Sequence, residues 1–497
     1  MQPSTPTGIH GTLLRGLRLG VVLVAGVGAV VAQERPASPG PSPKAASAAE
    51  VELGRQLFFD TTLSTPPGQA CASCHAPSAG FRFPDSQVNQ LFGVAKGAVD
   101  GRVTSRSVPT ISYAPFIPKG PPSAHLGVIP DVGPVEELVF IGGMFWDGRA
   151  ETLEHQATFP FQNPNEMNNL AHGLGSPSLV VDKVAAGPSA TLFRRVFGKH
   201  VFGAPTHVVF ADVCSALAAY ERSEEVSPFT SKFDAYAMGR ATLTPEELDG
   251  LRLVTGTVDG TSSGDPWIKN AQCVACHGME DKLSDGPSLF TRECFANIGV
   301  PRNPTNPFYL QTDPVSNPYG YNPLGEDFVD LGLGDFLYPL NDLPPGNMGP
   351  GSDGNGDFLA ANGAVKVPTL RNVDKRPSPD FVKPYMHNGV FKSLKDVVHF
   401  YNTRNLTTVP GEIIDLTLPD PYANLVGTPL WPAPEVFSLK ALANGTGVSG
   451  ADGGLVGNLG LTDEEEDHIV AFMQTLSDGY FAKNPLAADF LAPYQGP

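Results

Sequence analysis

Two short stretches of the chain carry residues that do chemistry: Cys71-Ala-Ser-Cys74-His75 and Cys273-Val-Ala-Cys276-His277. In C-x-x-C-H the two thiols can join the vinyl groups of a haem as thioethers, and the adjoining histidine then lies under the iron as an axial ligand. A zinc site would bring its ligand pairs closer together in the chain, and a redox dithiol leaves the histidine in both copies unexplained. Two covalently bound c-type haems are therefore expected, with His75 and His277 as proximal ligands. Cys214 and Cys294 stand outside both motifs. They either pair in an oxidising compartment or lie separately as small buried side chains, and sequence leaves both readings open.

A second group of residues could equip one iron for reaction. Phe145-Trp146-Asp147-Gly148-Arg149 leads into a helical pattern in which Leu153, Gln156 and Ala157 fall at i, i+3 and i+4, so Gln156 shares a face with two apolar side chains while His155 points elsewhere. Pro160 is expected to stop that helix. Asn163-Pro164-Asn165-Glu166-Met167 then forms a turn with one carboxylate beside an apolar residue. Cleaving an O–O bond requires a proton to move from one oxygen to the other, which a buried carboxylate with a nearby amide donor can do. Taken alone, Glu166 also reads as a solvated loop carboxylate, and Trp146 as an ordinary core aromatic.

Helices with recognisable starts are expected to position these groups. Thr244-Pro245-Glu246-Glu247, Thr462 with Glu465, and Ser393 with Asp396 are capping-box patterns, with Pro245 suited to the first helical position. Ile469, Val470, Phe472, Met473 and Leu476 give the helix after Thr462 an apolar face, and Val208 to Arg222 reads as another helix. Helical segments also precede each C-x-x-C-H motif, at Glu50 to Phe59 and Thr244 to Val254, an internal echo that predicts two related domains. Alternating strand patterns are scarce. The 54 glycines and 49 prolines add long loops. The expected fold is mainly α: two cytochrome c-like haem domains with long loops and few short strands.

With 497 residues, the chain is too long for a lone small module. Its formal charge of −18 repels phosphate backbones, so nucleic acid is not an expected partner. Arg15 and Arg18, the apolar run Leu19 to Val31, and the small residues Val30 and Ala32 match a secretory signal peptide over residues 1–32, with an uncleaved anchor as the alternative. No membrane span is expected in the mature chain. Residues 33–49 read as a flexible Pro/Ala/Ser-rich leader, 50–236 as an N-terminal haem domain, and 237–487 as a C-terminal haem domain with a loop insertion at 301–365. Export, and thus a periplasmic or similar location, agrees with covalent haem.

The motifs in order, Leu53-Gly-Arg-Gln-Leu-Phe-Phe-Asp60, CASCH, Phe-Trp-Asp-Gly-Arg149, Asn-Pro-Asn-Glu-Met167, CVACH, Val-Pro-Thr-Leu-Arg-Asn372 and Tyr-Met-His-Asn-Gly389, closely resemble the bacterial dihaem cytochrome c peroxidase family, which includes MauG. The resemblance covers most of residues 50 to 480. It implies that the haem on His75 reacts with hydrogen peroxide, with Gln156, Pro160 and Glu166 on its distal side. It also implies that the haem on His277 is six-coordinate and stores or relays electrons, with Trp146 between the two.

The branch turns on the second ligand of the C-terminal haem, which is Met in ordinary members and Tyr in MauG-like ones. Leu394, Val397, Val398 and Tyr401 occupy i, i+3, i+4 and i+7, with His399 off the stripe, and Tyr401 resembles the MauG-like ligand. A phenolate favours higher oxidation states of iron. A buried, hydrogen-bonded Tyr401 with Met386 as ligand is the other reading. Ordinary members often carry a His after the first haem that blocks the peroxide site; Phe81 to Ser107 contains none, and His125 lies in an insertion. An open peroxide site is expected.

The family also binds calcium between its domains, partly through carbonyls matching Val382 to Pro384, but Tyr113 aligns with the usual Asn ligand. Asp353-Gly-Asn-Gly-Asp357 lacks the later Gly and bidentate Glu of a calcium loop and reads as a Gly-rich loop. Three functions follow. The first is a peroxidase fed by a small cytochrome c or cupredoxin. The second is a MauG-like oxidant of Trp or Tyr residues in a partner protein, for which Trp267 and Trp431 are candidate surface hopping sites as well as ordinary structural aromatics. The third is a dihaem electron carrier.

Overall fold

The computed structural model describes residues 46–120, 123–129, 133–256, 270–279, 287–312, 322, 324–337, 361–414, 421–437 and 456–483. The signal-peptide reading, most of the leader, Trp267 and the Asp353–Asp357 loop lie outside these residues. Ser47 caps a helix at Ala48–Phe58, so the last residues assigned to the leader already belong to the folded chain.

Helices dominate the described residues. The capping signals act as expected. Thr244, Ser393 and Thr462 each close a reciprocal capping box, opening helices at Pro245–Thr255, Leu394–Thr403 and Asp463–Gln474. The stretch read from Val208 is the Thr206–Glu221 helix.

Apart from one hairpin, the named strands are two residues long. The hairpin pairs Ser123–Ile129 with Gly133–Ile141, from Ser123 opposite Ile141 to Ile129 opposite Gly133. Its register shifts between Leu126 and Val128, so the side-chain alternation that betrays a strand is broken midway.

Two buried apolar clusters carry the fold. One takes residues from Leu53 to Val226, the other from Phe233 to Leu476. Each contains a helix crossing built in the same way. A Cβ on Gly54, in Ala48–Phe58, would lie 1.8 Å from the Ala216 carbonyl oxygen of the Thr206–Glu221 helix. A Cβ on Gly250, in Pro245–Thr255, would lie 1.9 Å from the His468 carbonyl oxygen of the Asp463–Gln474 helix. At both crossings the missing side chain lets one helix lie directly on the backbone of another. Each pair brackets one C-x-x-C-H motif, so the echo in sequence is also an echo in packing.

No helix among the described residues is long and apolar enough to cross a membrane.

Candidate haem sites and the residues between them

Each C-x-x-C-H motif opens on a cavity. His75 and Cys74 line the first, a cleft of about 1430 Å³ including its mouth, and Cys71 packs against the first apolar cluster beside it. Cys273, Cys276 and His277 line the second, of about 1250 Å³. Each lies against its motif's histidine, where the tetrapyrrole of a C-x-x-C-H haem would sit.

The two histidines are set for iron in the same way. His75 Nδ1 lies 3.1 Å from the Phe81 carbonyl oxygen, and His277 Nδ1 lies 3.3 Å from that of Phe290. A carbonyl only accepts, so Nδ1 carries the proton and Nε2 keeps its lone pair for a metal. Burial lowers each imidazole's pKa to about 4, keeping it neutral, as a ligand must be. Cavity, paired thiols and tautomer together fit one c-type haem at each motif.

Gln156, Pro160 and Glu166 all line the first cavity. Thr152 caps their helix, with Leu153 and Ala157 buried and His155 exposed. Pro160 does not stop this helix, which runs on to Gln162. Its only necessary loss is the bond to the Gln156 carbonyl, because proline has no N–H, and the Asn163 N–H to Phe159 oxygen bond, at 3.0 Å, closes the next turn. Asn163 Nδ2 donates to Glu166 Oε1 at 2.7 Å. Burial raises the Glu166 pKa, while the Arg149 charge and the Asn163 amide pull it back.

Trp146 is 6% exposed and belongs to the walls of both cavities. Its indole N–H donates to the Ser107 carbonyl oxygen at 2.8 Å, and its own carbonyl accepts the Lys366 N–H at 2.8 Å. Arg82, Thr110, Lys366, Pro368 and Thr369 share this double position.

Tyr401 and Met386 both line the second cavity. Burial, with the two motif thiols adding to it, raises the Tyr401 pKa. His399 lies outside the cavity, exposed, with Nδ1 against Glu466 Oε1 at 2.9 Å. Trp431 packs on Phe391 and Phe400 and donates to Thr403 Oγ1 at 2.9 Å, an ordinary structural setting.

Cys214 and Cys294 are both free and buried, so the disulfide alternative is not realised.

Several residues at these sites were not singled out by sequence reasoning. Asn163 fixes Glu166, and Arg149 lies over the Phe145 ring at 3.7 Å while gripping Asp147. Glu221 lines the first cavity at 6% exposure, its Oε2 without a partner among the described residues, and burial pushes it up to about 8. Arg82 joins the halves, its Nη2 donating to Ser107 Oγ at 3.0 Å and to the Pro384 carbonyl oxygen at 3.1 Å. Nothing local in the sequence marks Arg82, because Pro384 is 302 positions away.

The model of the family described as Di-haem cytochrome c peroxidase matches residues 48–242. Methylamine utilization protein MauG of Paracoccus denitrificans is 31% identical over 427 residues, covering 86% of this chain and 88% of its own length. Cytochrome-c peroxidase IdrP2 of Denitromonas iodatirespirans is 25% identical over 387 residues, covering 77% of this chain and 82% of its own. The crystal structure of the diheme peroxidase BthA from Burkholderia thailandensis superposes with a TM-score of 0.62 at 28% identity, over 88% of this chain and 87% of that one. The chain belongs to the MauG-like dihaem cytochrome c peroxidase family. It is an oxidoreductase of the cytochrome-c peroxidase kind, with peroxide as electron acceptor.

Proposed function

We propose that this protein is an exported dihaem peroxidase whose two haem domains divide the work, reducing hydrogen peroxide at the His75 site with electrons passed from the His277 site. The observation that carries this reading is the asymmetry of two cavities sharing the Trp146 wall. One faces an acid and an amide, Glu166 and Gln156, and the other faces a phenol, Tyr401. When bound, the haems supply redox-active iron, at the first site to peroxide and at the second as an electron store.

The chain's own residues do the rest. Cys71, Cys74, Cys273 and Cys276 anchor the haems, and His75 and His277 present Nε2. Asn163 occupies Glu166 Oε1, which leaves Oε2 to take a proton from one peroxide oxygen and return it to the other. Gln156 orients the oxygen that receives it, and Pro160 excludes water from that side. Trp146 fills the gap between the sites. Tyr401 closes the second site, while no His from Phe81 to Ser107 stands over the first, so peroxide enters without prior reduction.

Two electrons and two protons convert each peroxide to two waters, with a small cytochrome c or cupredoxin as donor. Tyr401 also favours a second reading, in which the electrons come from Trp or Tyr residues of a partner protein. Turnover with a reduced small cytochrome separates the two. Replacing Glu166 with Gln should slow the peroxide reaction about 10²–10⁴-fold in stopped-flow spectra. An unchanged rate would remove Glu166 from the chemistry, and two low-spin, unreactive haems would leave only an electron carrier.

A further inference from the structure

Two cationic side chains border both cavities, and one of them, Lys366, already has the Glu293 carboxylate at 3.7 Å. The other is Arg82, and its Nη2 is bonded to Ser107 Oγ and the Pro384 carbonyl oxygen, one from each half of the molecule. The Val382 carbonyl oxygen, on the same segment, accepts from Asn89 Nδ2 at 3.0 Å. Between them, Lys383 is 1% exposed and its ammonium donates to the Asn372 and Lys375 carbonyl oxygens at 2.7 and 3.1 Å.

These groups do not suit the calcium that the resemblance implies. Calcium takes six to eight oxygens, usually with carboxylates among them, whereas the oxygens bonded to Arg82 and Lys383 are all neutral and each already accepts from a cation. Tyr113, which aligns with the usual Asn ligand, donates its hydroxyl to Asp478 Oδ2 at 2.7 Å. No cluster of three or more His, Cys, Asp or Glu suited to a metal occurs among the described residues. A dication here would also meet a guanidinium and an ammonium.

Arg82, for its part, lacks an anion. No carboxylate pairs with it among the described residues, and its Nε is buried without an acceptor. Each c-type haem brings two carboxylates, the propionates, and guanidinium is the side chain whose fork matches them.

We propose that Arg82, the cation between the two haem sites that has no carboxylate of its own, stands in for calcium and pairs with a haem propionate. This rests on the dihaem reading. A buried positive charge at that point favours the reduced state of iron, which carries one positive charge fewer.

The test uses the haem-loaded protein. Dialysis against EGTA followed by calcium add-back should leave the spectrum and reduction midpoints of both haems unchanged. Replacing Arg82 with Gln should lower the ferrous-to-ferric ratio at a fixed potential about tenfold at one haem or both. Replacing it with Lys, which keeps the charge, should hold that ratio within roughly threefold of the parent. A shift on calcium add-back overturns the proposal. So does an R82Q ratio equal to the parent's at both haems, or an R82K ratio that falls as far as that of R82Q. If R82Q loses haem, R82K and the calcium arm decide. A parent protein that carries other than two haems would instead overturn the proposed function.

Discussion

At the scale of single residues, buried carboxyls set the behaviour of the first site. Glu221 has a pKa of about 8, against the ordinary 4.5, because its side chain is buried. The folded protein therefore keeps a proton there that the unfolded chain has released. Between those values the native state binds more protons than the unfolded one, so stability falls as pH rises through that window. Thermal unfolding of the haem-loaded protein at about pH 5.5 and pH 8.5 should show this loss, and Glu221→Gln should flatten it, leaving the variant the more stable at the higher pH. Parallel curves for parent and variant would mean that Glu221 is satisfied in the native state. Sequence made the histidines, Gln156 and Glu166 that line the cavities legible, because short motifs with fixed spacing encode them. Glu221 was not legible, since it closes a helix with nothing local to distinguish it from a surface acid.

At the scale of elements, the insertion after Pro301 acts as a staple. Asn303 Nδ2 donates to the Phe92 and Asn388 carbonyl oxygens, both at 2.8 Å, and Asn306 Nδ2 to that of Ser105 at 2.9 Å. Asp330 takes both Nε and Nη2 of Arg106, at 2.6 and 2.7 Å, while Arg106 Nη1 reaches Asp147, the neighbour of Trp146, at 2.5 Å. The insertion thus fixes the loops on either side of the tryptophan. Asp330→Ala leaves Arg106 only Asp147, which Arg149 already engages, and should cost about 3–5 kcal/mol, visible as a drop in Tm. A Tm within a degree or two of the parent would show the staple to be idle. Composition alone made the insertion look like plain loop, because asparagines that cap turns and asparagines that bridge distant carbonyls are the same letters. The hairpin at Ser123–Ile141 escaped for a related reason, its bulge having broken the period of two.

At the scale of the whole molecule, the two apolar clusters follow the two motifs, and Trp146 lines the cavity beside each. Trp146→Phe keeps most of the volume and loses the indole N–H bond to Ser107. The spectral response to peroxide should persist, while turnover with a reduced donor falls roughly tenfold, about 1.4 kcal/mol on the limiting step. If turnover is unchanged, electrons take another route. The paired motifs were legible in the sequence, whereas the fit around them depends on contacts hundreds of positions apart.

Because Arg82, Thr110, Trp146, Lys366, Pro368 and Thr369 each border both cavities, neither centre has a private seam on that side. A mutation accepted there must suit two tenants at once. Drift along this stretch should therefore be slower than on either outer flank, and a colour change at one centre after such a substitution should be read as half of a joint response.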